Sequence, residues 1–351
     1  RQGTMSFLTD EEKDALTIRR MIFHVVGKSL EDPILLDEIT PPQHQDFFLE
    51  RVKSSLRGNL FAFRDRSTTE DILREIATGG GNFTERTQAL ALDFQSRHKK
   101  TMSVGVFFIF ELGAGDGATI YALVKYDNED VVRYVLEAGG SSVPKLERFQ
   151  ESFVRKPEAM QKIALVRLDD GAGGRIMVRD RSNTAHISDY FEGFLQARRV
   201  NAATDMSEKL MGALKDTFKA NRDSLPEEIK KSGVNRIYEV LRQGPRFDPE
   251  DCEPLVTACF GVQPENSKVR RDLVRNLRNR GVSEETFDVS PERIQKPRRH
   301  RMETVEGVQI SYDEENRPAV HGREDGRQEI VIVTAGLTRD DAEIETGSRR
   351  G

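Results

Sequence analysis

Two apolar runs of strand length, separated by a glycine-rich turn, constrain the fold of this chain more than any other feature. The runs are SVGVFFIFEL (103–112) and ATIYALVKYD (118–127), and Gly113, Gly115 and Gly117 lie between them. A phosphate-binding loop would need a helix after the glycines, with its N-terminal amides pointing at the anion. Because β-branched and aromatic residues follow instead, the sequence predicts a β-hairpin whose turn uses the conformational freedom of glycine.

Further runs of this kind extend the predicted sheet. VVRYVLEA (131–138), QKIALVRLDD (161–170) and RIMVRD (175–180) are typical of strands, while residues 44–58, 67–81 and 84–100 have helical periodicity. Ser67 and Glu70 form the pattern of a capping box at the start of the second helix. We therefore predict an α+β protein with an N-terminal antiparallel sheet and flanking helices.

Helical patterns dominate from about residue 189. SDYFEGFLQARR (188–199) precedes a long helical segment in which Asp205 and Glu208 have the pattern of an N-cap. Met206, Leu210, Leu214 and Phe218 make an apolar stripe along it. Short strands return in VQISYD (308–313) and EIVIVT (329–334). We predict an α+β domain over 5–199, a helical region with a small C-terminal β unit over 200–337, and a disordered tail over 338–351.

The overall charge limits how this chain could bind nucleic acid. Lys and Arg number 54 against 59 Asp and Glu, which gives a net charge of −5, whereas proteins that depend on phosphate contacts usually have a basic excess. Any such binding must therefore come from a local patch. No segment has the length and hydrophobicity of a membrane span or a signal peptide, so we expect a cytoplasmic protein with no membrane contact.

One segment, 268–301, has the required local excess. It holds eleven Lys and Arg against five Asp and Glu. In its helix, Arg271, Arg275 and Arg278 lie opposite an apolar face, and the preceding helix and turn give the order of a helix-turn-helix. The downstream KPRRHR adds mobile guanidinium groups, which are suited to phosphate contacts. The predicted DNA-binding residues are Arg271, Arg275, Arg278, Arg280, Lys296, Arg298, Arg299 and Arg301.

Evidence for catalysis in the sequence is thin. The six histidines and two cysteines share no ligand spacing, and no G-x-S-x-G, H-E-x-x-H or C-x-x-C motif occurs. Asp127, Glu129 and Asp130 have the residue types of a divalent-metal site, but a polar turn explains them as well. We predict no catalytic residue, no cofactor and no bound metal. The basic run also has a plain alternative, since most charge runs are solvated helix faces.

The order of several segments resembles the bacterial nucleoid-associated protein family of the NdpA or YejK type. These segments are ALVKYD and KIALVRL in the sheet, ISDYFEGFLQARR at the start of the helical part, and VEGVQISYD and EIVIVT near the end. The resemblance spans roughly residues 23–334. The resemblance implies a cytoplasmic, non-enzymatic protein that associates with the nucleoid and binds double-stranded DNA with little sequence preference.

Three functions remain open on the sequence. DNA binding through the basic helix and cluster is the first. The second is a protein-interaction module that recruits or regulates a DNA-processing or defence enzyme, and the third is a metal-dependent nuclease. The expected partners are double-stranded DNA and a DNA-processing protein. A homodimer is also open, because the apolar helix YFEGFL (190–195) suits a two-fold contact as well as a core.

Overall fold

A computed structural model describes residues 7–28, 30–40, 42, 44–97, 102–115, 119–127, 160–168, 173–295 and 297–338. The chain divides into two compact units, Arg1–Ile294 and Gln295–Gly351. The finer boundaries predicted near residues 199 and 337 stay predictions. Within the described residues no helix has both the length and the apolar character needed to cross a membrane.

The described α-helices all belong to the first unit. They are α1 (Asp10–Asp14), α2 (Gln45–Lys53), α3 (Thr68–Ala77), α4 (Phe83–Arg97), α5 (Asp189–Leu195), α6 (Ala203–Asn221), α7 (Glu227–Ser232), α8 (Asn235–Leu241), α9 (Glu253–Phe260) and α10 (Lys268–Asn279).

The described strands are divided between the units. The first unit contains β1 (Leu16–Val26), β2 (Asn59–Phe63), β3 (Gly105–Ala114), β4 (Thr119–Tyr126), β5 (Met160–Leu168), β6 (Gly174–Asp180), β7 (Ala197–Arg199), β8 (Arg246–Phe247) and β9 (Phe287–Asp288). The second contains β10 (Arg299–Glu303), β11 (Gln309–Asp313), β12 (Ala319–Gly322) and β13 (Gln328–Val331).

Seven strands form one antiparallel sheet in the order β1-β3-β4-β5-β6-β2-β7. The predicted hairpin is confirmed: β3 and β4 pair from Val106 opposite Tyr126 to Gly113 opposite Thr119, and Gly115 in the turn has φ +72°. The strands expected at 161–170 and 175–180 are β5 and β6, which also pair. Gly117 and the strand expected at 131–138 lie outside the described residues. Together with the flanking helices, this sheet confirms the predicted α+β fold.

Both faces of the sheet are buried, which explains why its strands are apolar at consecutive positions. One face packs against α3, α4 and α5, and the rings of Phe94 and Phe107 stack there at 4.6 Å. The other face packs against α2 and the segment at Phe7 and Leu8. Phe191 and Phe194 of α5 are fully buried in the first of these cores. Phe191, Phe194 and Leu195 of the YFEGFL segment therefore belong to a core, and a homodimer stays a prediction.

Helices α6 to α10 enclose a third apolar core. The predicted stripe of α6 is confirmed, because Met206, Leu210, Leu214 and Phe218 are all buried in this core. The predicted cap at Asp205 is wrong: α6 begins at Ala203, with Ala202 as its N-cap residue. Asp205 instead lies in the first turn, where a carboxylate is also favoured by the helix dipole.

Ser67 caps α3 as expected, but the capping box is only half formed. Its hydroxyl accepts a hydrogen bond from the backbone N–H of Glu70 at 3.2 Å. The Glu70 carboxylate does not reach back to residue 67; it accepts a hydrogen bond from Arg74 Nε at 2.8 Å. Arg74, one helical turn later, therefore binds the Glu70 carboxylate in place of the backbone N–H of residue 67.

Two buried lysines lie side by side in the sheet. Lys125 and Lys162 are directly opposite in the β4–β5 pairing, so they share a face. Lys125 is ion-paired with Asp127, and Lys162 donates to the buried Asp180 at 2.7 Å. Each buried ammonium group therefore has its own carboxylate, as burial of charge requires.

Gly105 provides the space for Lys125. A Cβ atom at residue 105 would come closer to the Tyr126 carbonyl oxygen and to Lys125 Nζ than real Cβ atoms come to any neighbour. We expect Gly105→Ala to lower the free energy of unfolding by about 1–3 kcal/mol, the usual range for overpacking. Urea denaturation measures this. Gly193→Ala is the control, since a Cβ there meets no atom within 4 Å; equal destabilisation by both would contradict the packing argument.

The described residues of the second unit form two hairpins, β10–β11 and β12–β13. The strands expected at 308–313 and 329–334 correspond to β11 and β13, so the predicted C-terminal β unit is confirmed. No Val, Leu, Ile, Met or aromatic side chain is buried in the described residues of this unit, 295 and 297–338. Its hairpins therefore do not enclose an apolar core of their own.

Candidate nucleic-acid interface

Helix α10 presents one cationic face to solvent. Ser267 caps the helix by accepting a hydrogen bond from the Arg270 N–H at 3.2 Å, and the buried face is apolar as predicted, with Val269, Leu273 and Leu277 in the core. The outward positions are Lys268, Arg271, Arg275 and Arg278, all exposed. We call these four residues the cationic strip. At 1.5 Å per residue it is about 15 Å long.

Contacts with α6 fix the rotation of α10. Asn276 donates to Thr217 Oγ1 at 2.9 Å, and Asn221 of α6 donates to Asp272 Oδ2 at 2.9 Å. As the residue number rises along α10, that of the α6 partner falls, so the two helices are antiparallel. The polar contacts lie on the side of α10 that faces α6, which leaves the cationic strip on the outer surface.

One member of the strip, Arg275, is paired with a carboxylate. Its Nη2 lies 2.7 Å from Oδ1 of the nearly buried Asp272. The hydrogen bond from Asn221, with the charges of Arg275 and Lys268, holds the pKa of Asp272 below its usual value. Asp272 is therefore ionised at neutral pH. Its negative charge offsets part of the positive charge that the exposed Arg275 adds to the strip.

The other three members of the strip have no carboxylate partner within the described residues. Arg271 donates to the Asn266 carbonyl oxygen at 2.6 Å, and Lys268 Nζ donates to the Ala220 carbonyl oxygen at 3.3 Å. No hydrogen bond or ion pair of Arg278 occurs in the part of the chain that the structure describes. Their charge is therefore available to an external anion.

Arg280 differs from the strip. Its guanidinium binds Asp216 of α6, with Nη2 2.6 Å from Oδ2. A DNA phosphate would have to compete with this ion pair. The sequence could not indicate the pair, because the two residues are 64 positions apart.

The second predicted basic cluster belongs to the other unit. Lys296 lies outside the described residues, and Arg298, Arg299 and Arg301 are exposed. Arg299 and Arg301 alternate along β10, opposite Asp313 and Ser311 of β11, so they share one face of the hairpin. Pairing with β11 therefore places the backbone of these two arginines on a strand, while their contact with phosphate stays a prediction.

The expected helix-turn-helix is not formed. The connection from α9 to α10 runs from residue 261 to 267, which is longer than the three or four residues of that motif. In addition, α10 makes its main helix contact with α6 rather than α9. Insertion of α10 into a major groove therefore has no support from helix-turn-helix geometry.

A cleft of about 940 Å³ lies beside the C-terminal end of the strip. Arg278 lines it together with Lys53 and Arg57, and Leu56 and Leu60 form part of its wall. The lining also includes Glu11 and Glu284, which are exposed. Sequence reasoning missed Lys53 and Arg57. Lys53 is the last residue of α2 and Arg57 follows four residues later; this spacing is the one local signal, and it is common on solvated helices.

The acidic turn does not have the geometry of a metal site in the described residues. Asp127 accepts a hydrogen bond from Ser103 and is ion-paired with Lys125, while Glu129 and Asp130 lie outside the residues that the structure describes. Across the described ranges, no three His, Cys, Asp or Glu side chains are grouped so that they could hold a metal ion. No observation on these residues favours a nuclease.

Comparison with known proteins identifies the family. A family model described as nucleoid-associated protein YejK matches residues 22–334, the region over which the sequence shows the resemblance. No curated protein and no solved structure matches the chain significantly. Because the family model covers most of the sequence, the chain belongs to the nucleoid-associated protein family of the YejK type.

Proposed function

We propose that this protein binds double-stranded DNA with little sequence preference, without catalysing a reaction, and is localised to the nucleoid. The observation that best supports the proposal is the cationic strip. Three of its four cations have no carboxylate partner among the described residues, although the protein as a whole is acidic. A DNA phosphate would provide the missing partner, and the family membership agrees with this role. Arg298, Arg299 and Arg301 of the second unit would add further phosphate contacts.

The types of residue in the strip account for the weak sequence preference. Lysine and arginine on an exposed helix face contact phosphates, which fix the position of a protein on the duplex but contain no sequence information. The acidic surface elsewhere repels DNA, so we expect the duplex to bind on the side of α10 that faces away from the core. Non-specific binding of this type depends mainly on the release of counterions.

A salt titration tests the proposal. If the four cations of the strip each neutralise one phosphate, log K should fall with log salt with a slope of about −3.6, a loss of roughly a hundredfold between about 50 and 200 mM salt. Fluorescence anisotropy on two duplexes of unrelated sequence should give the same curve. An affinity that does not change with salt, or one confined to a single sequence, would contradict the proposal.

The cleft beside Arg278 favours a second candidate function, a protein-interaction module. Exposed side chains of both signs line it, including Lys53, Arg57 and Glu284. A polypeptide segment with mixed charges would match this lining better than a polyanion would. If a DNA-processing protein binds here, Lys53→Glu with Arg57→Glu should weaken its copurification in nuclease-treated extracts and leave DNA affinity unchanged. Loss of DNA binding without loss of a partner would exclude this role for the cleft.

A further inference from the structure

The β12–β13 hairpin ends in an apolar segment that has no neighbouring strand among the residues that the structure describes. Ala319 and Val331 are the last pair of the hairpin, and the next position would set Pro318 opposite Ile332. Proline has no N–H to donate, so it cannot supply the donor that a further pair would need, and the pairing ends at Ala319 and Val331. Within the described residues, Ile332 and Val333 take part in no backbone hydrogen bond. The chain thus leaves the hairpin with free backbone donors and acceptors.

The side chains of this segment are unusually apolar for a surface. Residues 330–334 have the sequence Ile-Val-Ile-Val-Thr, with no charge. Val331, Ile332 and Val333 are 37%, 55% and 94% exposed. Since alternate residues of an extended chain point to opposite faces, both faces of the segment are apolar. It also lacks the lysine, proline or bulge with which proteins usually protect an exposed edge.

We infer that this segment pairs with the same segment of a second copy of the chain, antiparallel about a two-fold axis at Ile332. In that register Val331 faces Val333 of the second copy, and Ile330 faces Thr334. The first charged residue, Glu329, faces Ala335, so no like charges meet. A two-fold contact needs a self-complementary surface, and five uncharged residues centred on Ile332 provide one.

Pairing with a second copy is energetically more favourable for the β12–β13 hairpin than remaining an isolated two-stranded sheet. A two-stranded sheet is marginally stable in water, and no Val, Leu, Ile, Met or aromatic side chain is buried in the described residues of the second unit. Pairing two copies would produce a four-stranded sheet in the order β12-β13-β13-β12. Because only about five residues of each copy pair, the interface is at the small end of specific contacts. We therefore expect a reversible, concentration-dependent dimer.

Sedimentation velocity of the full chain tests the dimer. The wild type should shift from monomer to dimer between about 1 and 100 μM, as a small interface implies. Ile332→Arg would set two like charges against each other at the axis, and this variant should stay monomeric throughout the range. Val305→Arg is the control, because Val305 is exposed and lies outside the segment; it should dimerise like the wild type.

Disulfide trapping tests the register. Residues that face each other in an antiparallel pair have Cα atoms about 4.5–5.5 Å apart, within disulfide range. In a Cys252→Ser background, Ile332→Cys should give a covalent dimer on mild oxidation, whereas Val320→Cys on β12 should not. A wild type that is monomeric at every concentration, a dimer that persists in Ile332→Arg, or equal cross-linking at residue 320 would each overturn the inference.

Discussion

Replacing Arg271, Arg275 and Arg278 together by glutamate is expected to weaken DNA binding about a hundredfold near 0.15 M salt. Each phosphate contact contributes about 0.9 to the slope of log K against log salt, so three lost contacts lower K by about two orders of magnitude. The slope itself should become shallower by about 3. The loss should be the same for unrelated duplexes, because these side chains are proposed to contact the backbone. Anisotropy titrations at several salt concentrations measure both quantities.

The control must change the net charge equally without touching the strip. Lys28, Lys231 and Arg242 are exposed and lie outside α10, and replacing all three by glutamate changes the net charge by the same amount. This variant should lose far less affinity than the strip variant. If both triples weaken binding equally, only the overall charge matters, and the cationic strip is not the contact surface. Circular dichroism of both variants checks that the fold is retained.

Local patterns in the sequence were sufficient to predict much of the fold. The β3–β4 hairpin follows from two apolar runs and the glycines between them, because turn geometry and strand periodicity are properties of neighbouring residues. The start of α6 could not be located in this way. An acid such as Asp205 is favoured both as an N-cap and in the first turn, so the pattern does not distinguish the two positions.

The candidate site was only partly predictable. Helical periodicity places Val269, Leu273 and Leu277 in the core and hence the arginines outside. Whether each arginine is free to bind a phosphate depends on whether packing brings a carboxylate close to its guanidinium group. Asp272 binds Arg275 from the preceding helical turn, whereas Asp216 binds Arg280 from another helix. The sequence could have suggested the first pair, but the second requires knowledge of how α6 and α10 pack.

The same limit applies to the downstream cluster. KPRRHR is recognisable in the sequence only as a basic run, and nothing within it indicates a strand. Its arginines become part of β10 because residues 299–303 pair with residues 309–313. Strand formation here depends on a partner several residues away, and strand propensity is more dependent on context than helix propensity.

The largest expected effect of pH on stability comes from His24. This residue is fully buried on β1, and its Nδ1 accepts a hydrogen bond from the Leu36 N–H at 3.2 Å. Its Nε2 is also buried and has no partner among the residues described by the structure. An imidazolium would have to lose the Leu36 hydrogen bond or remain uncompensated in the core. Burial accordingly lowers the pKa of His24 from 6.5 to about 4.

Because the pKa is lower in the folded state, the unfolded chain binds the proton first as the pH falls. The stabilisation is complete above about pH 6.5, declines through the interval down to about pH 4, and amounts to about 3 kcal/mol in total. Urea denaturation at pH 7.5 and pH 5.0 should therefore differ by about 2 kcal/mol from this residue alone. His24→Asn keeps a hydrogen-bond acceptor for Leu36 but does not titrate. The free energy of unfolding of this variant should therefore fall by about 2 kcal/mol less than that of the wild type between pH 7.5 and pH 5.0. Parallel pH profiles for the two proteins would show that His24 takes up its proton equally well in the folded and unfolded chain, and would contradict the buried neutral imidazole.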